Sequence, residues 1–276
     1  MHTSSTSTPT PSTTSPSRGG RIDLHCHWIA DIDDGARSPE QGITMLRGLK
    51  ALGYTEVVAT PHMRPGMFEN DCTSIRDGYA AMAPLVAAAA AEIPLVSLAS
   101  EHWFDDVVYG RIMAGGGVPY RGGGSVLVEV NPRGFPLQFA NRLFDLRRAG
   151  FLVVLAHPER YEPVWKDDSC LDPFLDAGAA LLLDVASLVG KYGLASQKAA
   201  EKLLHDEAYE AACSDSHKPE DLETIAKALD ALEKRVGREE TQRLTATAPA
   251  AIINRPLGNA KPVPEWAKAI APASRG

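Results

Sequence analysis

The sequence predicts an α/β fold, with strand–helix units repeating along the chain and closing into a parallel barrel. Three observations predict it. Short apolar runs of β character recur at 22–24, 56–59, 95–98, 126–130, 152–155, 181–185 and 208–213. Stretches of helical periodicity separate them. The body that contains them, 21–255, has the length at which α/β barrels form one domain.

Taken in order, the 22–24 run precedes a helix that starts at Ser38, forms a capping box with Gln41 and continues to about Leu52. A helix over 73–91 separates the second and third strands. The later strands lead into helices over 137–149, 171–177, 195–205 and 219–236. The glycine runs 115–117 and 122–124 lack the strand-to-helix setting of a dinucleotide loop and predict a flexible connection. Residues 1–20, nearly all Ser, Thr, Pro and Gly, predict a disordered tail. Pro256, Pro262, Pro264 and Pro272 predict a second flexible tail over 256–276.

Composition removes several classes of function. The 276 residues carry 28 basic and 35 acidic side chains, a net charge of −7, so nucleic acid is not the expected partner. The most apolar stretch, 80–100, is interrupted by Pro84, Glu92 and Pro94, so no transmembrane segment is expected. Cys26, Cys72, Cys170 and Cys213 form no C-x-x-C pair and follow no secretory signal, which predicts a reducing, cytoplasmic setting. No cysteine has an arginine six positions later, and neither a G-x-S-x-G elbow nor a GK[ST] loop is present. Thiol-phosphatase, serine-hydrolase and P-loop chemistry are therefore excluded.

The informative residues follow the strands. The first strand runs into Asp23-Leu24-His25-Cys26-His27, the second into Thr60-Pro61-His62, the third into Glu101-His102 and the fourth into Glu129. The fifth ends at Ala156-His157-Pro158-Glu159-Arg160 and the last at Ser214-Asp215-Ser216-His217. In a parallel barrel the C-terminal strand ends open onto one face. His25, His27, His62, Glu101, Glu129, His157, Asp215 and His217 would then converge, five imidazoles and three carboxylates with no basic cluster to balance them. An H-x-H pair alone could be satisfied by backbone, and Asp215 with His217 could form an Asx turn. The same pattern at six of seven strand ends instead predicts cations. Nitrogen and oxygen donors without thiolate favour Mn, Fe, Zn or Co, and so many donors suit two or three ions. His102 and Cys26 alternate with these positions and point away, while His2 and His205 lie outside the site.

These motifs, together with Asp33-Asp34-Gly35 and Tyr161, resemble the polymerase-and-histidinol-phosphatase (PHP) superfamily. Within it they resemble the bacterial manganese-dependent tyrosine phosphatases of capsule and exopolysaccharide regulation, over about 21–254. The resemblance implies a distorted (β/α)7 barrel and a trinuclear centre, usually activated by Mn2+. It implies one ion on His25, His27, Glu101 and Asp215, with Glu101 bridging to a second on Glu129 and His157, and a third on Asp34, His62 and His217. Arg160 matches the arginine that grips phosphate, Arg64 is a second candidate anion contact, and Asp34 and Asp215 lie where they could share in proton transfer. The chain departs from the family where a further phosphate-binding arginine is common. Here Lys218-Pro219-Glu220-Asp221 follows, and Lys218 offers charge without arginine's bidentate fork. Ala248-Pro249 replaces an Asn-Pro, and Ala99-Ser100 precedes Glu101 where glycine is usual.

The implied reaction is hydrolysis of protein phosphotyrosine by attack of a metal-activated hydroxide on phosphorus. The implied substrate is the tail of a membrane-bound tyrosine kinase that regulates capsule synthesis. Two alternatives stay open. One is a small-molecule phosphatase of the histidinol-phosphate type, with a deep enclosed pocket. The other is a non-catalytic metal-binding regulator that grips a partner kinase through this face. Arg160 has a bland reading of its own, a surface pairing with Glu159 or Glu162.

Overall fold

Nine strands, all paired in parallel, build the centre of the computed structural model, which describes residues 19–258. They are β1 (Arg21–Cys26), β2 (Tyr54–Ala59), β3 (His62–Met63), β4 (Leu95–Leu98), β5 (Glu101–Trp103), β6 (Ser125–Glu129), β7 (Leu152–Ala156), β8 (Ala180–Asp184) and β9 (Tyr209–Cys213). The strand order is β1-β2-β4 in one sheet and β3-β5-β6-β7-β8-β9 in the other. Strand pairing thus records two parallel sheets, where the sequence predicts one continuous barrel. The break has a local cause. Pro61 has no N–H to continue the β2 ladder, and Ser100 turns its N–H to Val118 O at 3.0 Å. Isolated bonds span the gap, Ala99 N to Ala59 O at 2.8 Å and Glu101 N to Pro61 O at 3.2 Å. On the other side, Asp215 N donates to His25 O at 3.0 Å and His27 N to Ser216 O at 2.9 Å, tying the end of β1 to the chain after β9.

The helices are α1 (Pro39–Ala51), α2 (Cys72–Ala88), α3 (Asp106–Met113), α4 (Phe139–Arg148), α5 (Glu162–Lys166), α6 (Asp172–Asp176), α7 (Leu194–His205), α8 (Asp221–Gln242) and α9 (Ala248–Asn254). Ser38 caps α1 by accepting from Gln41 N at 3.3 Å, but the Gln41 side chain accepts from Arg37 N instead of closing the expected box. A full capping box forms at α2, between Asp71 and Ser74. The last long helix outruns its expected end at 236, bending at Gly237, whose φ of 78° is open to glycine at little cost.

Two apolar layers hold these elements. The inner one takes Leu24, Val58, Leu127, Val154, Leu182 and Ala211 from successive strands and closes on Ile252 and Ile253 of α9. The outer one packs Cys26, Val57, Val128 and Leu155 of the strands against helix residues such as Leu46, Leu146 and Ile225. Fully burying a large aliphatic side chain contributes about 1.5–3 kcal/mol, so this layering dominates the stability of the body.

The glycine run at 122–124 is no flexible connection. Gly122 N donates to Ile253 O at 2.7 Å, Gly124 N to Arg255 O at 3.0 Å, and Gly123 pairs with Pro256. A side chain at Gly122 or Gly124 would run into the backbone of 254–256. The expected C-terminal tail therefore begins with residues 256–258 laid on the body; residues 1–18 and 259–276 of the two expected tails lie outside the described residues. All four cysteines are free, and among the described residues no helix is long and apolar enough to cross a membrane.

Candidate metal centre

All the strand lines but that of β8 deliver donor atoms to one place. His25 and His27 bring their Nε2 atoms to 3.1 Å of each other. Both face Asp215 Oδ1, at 3.2 and 3.4 Å, and Glu101 Oε2, at 3.2 and 3.6 Å. His27 is oriented from behind by Asp33, whose Oδ2 lies 2.8 Å from Nδ1 and also accepts from His62 N at 3.0 Å. Gly35 closes that turn by donating to Asp33 Oδ1 at 2.9 Å, and any side chain there would strike the His27 backbone. The third position of Asp33-Asp34-Gly35 must therefore be small.

His62, at the start of β3, sets Nδ1 at 2.9 Å from Glu101 Oε2 and Nε2 at 3.5 Å from Asp34 Oδ1. His157 places Nε2 at 3.1 Å from Glu101 Oε1. His217 stacks on His27 with ring centroids 4.0 Å apart and reaches Asp34 Oδ1 at 3.6 Å. His157 and Asp215 both occupy the left-handed region, with φ of 35° and 45°, unfavourable for residues with side chains. Such strain collects at functional sites because the surrounding structure enforces it.

Donor atoms within 4.8 Å of one another form four overlapping groups: His27, Asp34, His62 and His217; His25, His157 and Asp215; His25, His27 and Glu101; and His62, Glu101 and Glu129. The implied Asp34, His62 and His217 set is thus brought together, with His27 added. Glu129 groups with His62 and Glu101, whereas His157 meets Glu101 from the other side. Glu101 is the hub, as a bridging carboxylate requires.

The donor set fits cations on two further counts. His25 Nδ1, His157 Nδ1 and Glu129 Oε2 are buried without a hydrogen-bond partner. Each such atom costs about 1–3 kcal/mol unless something meets it. The charges also conflict. Burial, then the neighbouring Glu101, pushes Glu129 up to about 8. Burial opposes charge on His27, but Asp33 and Asp215 outweigh it and hold the imidazole up to about 10. Burial, then Arg160, pushes His157 down to about 4, which keeps its lone pair available at neutral pH. Burial would raise Glu101 and Asp215, yet His25 outweighs it at both, helped by His62 at Glu101 and Arg160 at Asp215, and both stay well below the usual carboxylate range.

Arg160 lies on the single turn Pro158–Arg160, and its Nη2 meets the carboxylates of Asp184 and Asp215 and the hydroxyl of Tyr192 at 2.8 Å. Its expected surface partner Glu159 is buried elsewhere, accepting from Asp184 N, Ser187 Oγ and Tyr209 Oη at 3.0 Å each. Arg64 stacks over Trp103 at 3.6 Å from the ring centroid. It is close enough for its charge to pull Glu129 downward. Lys218 is exposed, and its backbone N–H donates to Asp221 Oδ2 at 3.2 Å. His102 points away, as alternation requires: Nδ1 donates to Leu127 O at 2.8 Å and Nε2 accepts from Val118 N at 3.1 Å. Cys26 likewise packs in the outer layer. Asp33, Asp184 and Tyr192 were not among the residues picked from sequence. Asp184 ends an apolar run, so the strand-end criterion could have found it, and Asp33 sits inside a quoted motif. Tyr192 carries no such signal.

The family model for capsular polysaccharide synthesis, CpsB/CapC, matches residues 21–254. The chain belongs to this family. Within the CpsB/CapC family it is 27% identical over 254 residues to tyrosine-protein phosphatase YwqE of Bacillus subtilis, covering 88% of this chain and 96% of that one. It is 21% identical over 238 residues to tyrosine-protein phosphatase CpsB of Streptococcus pneumoniae, covering 84% and 98%. A chain from the crystal structures of YwqE and CpsB, described as unique metal-dependent tyrosine phosphatases, shares its fold with a TM-score of 0.76 at 24% identity. That match covers 85% of this chain and 95% of the other.

Proposed function

We propose that this CpsB/CapC protein is a metal-dependent phosphomonoesterase that removes phosphate from tyrosine in a protein. The observation that carries the reading is Glu101, buried and within 3.6 Å of His25, His27, His62 and His157 at once. A carboxylate so surrounded would be placed to serve more than one cation. Around it, His25, His27, Asp215, His157, Glu129, Asp34, His62 and His217 would hold two or three ions, Mn2+ being the proposed metal. The two sheets are read as the wall of a distorted (β/α)7 barrel, with about 21–255 as the catalytic domain between tails at 1–20 and 256–276.

When bound, the ions supply Lewis-acid stabilisation of the phosphoryl oxygens and a water acidic enough to act as nucleophile at neutral pH. The chain's own residues do the rest. Arg160 binds the phosphoryl group through N–H bonds, and its charge compensates the negative charge spread over the oxygens. Arg64 and Lys218 stand further out, as contacts for the anion and the chain that carries it. Asp34, with its carboxyl below the ordinary range through His62 and in spite of burial, stays ionised. Asp215 does so through His25 and Arg160. Both therefore serve as acceptors and orient protons on the attacking water, while a phenolate leaves without needing a strong acid.

The rim is open. Asp34 is half exposed and Lys218 is exposed, which suits a tyrosine presented on a flexible tail better than a small enclosed substrate. The tail of a membrane-bound tyrosine kinase that controls capsule or exopolysaccharide synthesis, met from the cytoplasm, is the proposed partner. The test is turnover of a phosphotyrosyl peptide against histidinol phosphate by the Mn2+-loaded protein. Preference for the peptide is expected; preference for histidinol phosphate would move the assignment to the small-molecule branch.

A further inference from the structure

Tyr192 lies in the loop between the single turn Val185–Val189 and α7, bracketed by Gly190 and Gly193 with φ of 79° and 91°. These left-handed positions favour glycine, and they fold the loop back so that its tyrosine meets Arg160. The phenol oxygen is 2.8 Å from Arg160 Nη2, and the ring centroid is 3.8 Å from the guanidinium carbon. One side chain thus makes both a polar contact and a cation–π contact with the same arginine. The loop is itself moored, since Lys191 Nζ lies 3.0 Å from Asp221 Oδ1, and Asp221 Oδ2 accepts from His217 N at 2.9 Å.

Arg160 needs such a clamp. Its Nη2 is shared among Asp184, Asp215 and Tyr192, and Asp215 also turns Oδ1 toward His25 and His27. An arginine held by Asp215 alone would have one contact about which its guanidinium could swing. Asp184, fully buried, and Tyr192 give it a second anchor outside the donor cluster. The arginine's Nε is meanwhile buried and without any protein partner. A buried, unpaired N–H on a cation is a donor kept for an anion.

We propose that Tyr192 is the positioning residue of Arg160, stacking on the guanidinium and binding Nη2 so that the Nε–H is presented to the phosphoryl group. This rests on the phosphatase reading for its substrate. It does not rest on it for its test, because phosphate binding can be measured without turnover.

The experiment uses the full-length, Mn2+-loaded protein and inorganic phosphate as probe, titrated calorimetrically, beside KM and kcat for a phosphotyrosyl peptide. Tyr192→Phe keeps the ring and loses the hydroxyl; Tyr192→Ala loses both. The phosphate Kd and the peptide KM are expected to rise two- to threefold in the first and about tenfold in the second, with bound manganese unchanged. In an Arg160→Ala background, Tyr192→Ala should weaken phosphate binding no further, since its effect runs through the arginine. Phosphate binding within twofold of the parent in Tyr192→Ala would overturn the proposal. So would an equal loss in the Arg160→Ala background, which would mark a merely structural role. A protein that binds phosphate with this pattern yet leaves the phosphopeptide intact would sink the phosphotyrosine assignment and keep the role of Tyr192.

Discussion

Asp33 Oδ2 lies 2.8 Å from His27 Nδ1, so the imidazole donates its Nδ1–H to the carboxylate and turns Nε2 toward Glu101 and Asp215. The carboxylate fixes which nitrogen is free, and so decides whether His27 can be a ligand at all.

Asp33→Asn is expected to lower manganese affinity by about ten- to a hundredfold, the usual cost of removing a carboxylate behind a ligating histidine. Asparagine can present its amide N–H to His27 and stabilise the wrong tautomer. Titration of the chelated protein with Mn2+ checks this. Affinity equal to the parent would mean that His27 is not a ligand, or not one that Asp33 orients.

His102 gives a pH-dependent term separable from the centre. Its two ring nitrogens are already committed, one donating to Leu127 O and the other accepting from Val118 N, so a second proton would oppose the Val118 N–H. Burial pushes the group down to about 4, against an ordinary value of 6.5. Between those values the unfolded chain takes up a proton and the folded one does not, so stability must fall as pH drops through this window. The full effect is about 3 kcal/mol. Denaturant unfolding of the metal-free protein at pH 7 and pH 4.5 should show a shallower loss in His102→Gln than in the parent. Equal losses would show that His102 does not resist protonation.

Gly124→Ala is expected to destabilise the protein by about 1–3 kcal/mol, because the new methyl meets the carbonyl of Pro256 and the chain can yield only by breaking the Gly124–Arg255 hydrogen bond. For a domain of this size that is a fall of about 2–10 °C in Tm. Thermal unfolding checks it. An unchanged Tm would mean that the C-terminal segment is not fastened to the body there.

How far the molecule could be read from its sequence follows from which contacts are local. Apolar runs with period and turn signals located the seven long strands, and the strand-end criterion collected His25, His62, Glu129 and Asp215, which the fold brings together. β3 and β5 are too short to have a period, so the two-sheet pairing could not be foreseen. Asp184 fell inside a run read as 181–185, although the strand ends on it and the strand-end criterion reaches it once that end is known. Tyr192 and Gly124 owe their roles to neighbours far along the chain, Arg160 and Pro256, and no pattern within a few residues records such a contact. Arg64 shows the same limit, since its stacking on Trp103 depends on β3 pairing with β5.

In the proposed function, cations gathered by Glu101 and its neighbours act with Arg160 to hydrolyse phosphotyrosine. The most direct measurement is phosphotyrosyl-peptide hydrolysis by the chelated protein before and after addition of Mn2+, beside Arg160→Ala. No turnover is expected without metal, recovery with Mn2+, and a loss of about a hundredfold or more in the variant, in which an N–H donor and its charge are missing from the transition state. Turnover that survives chelation, or that is the same in Arg160→Ala as in the parent, would contradict the proposed function.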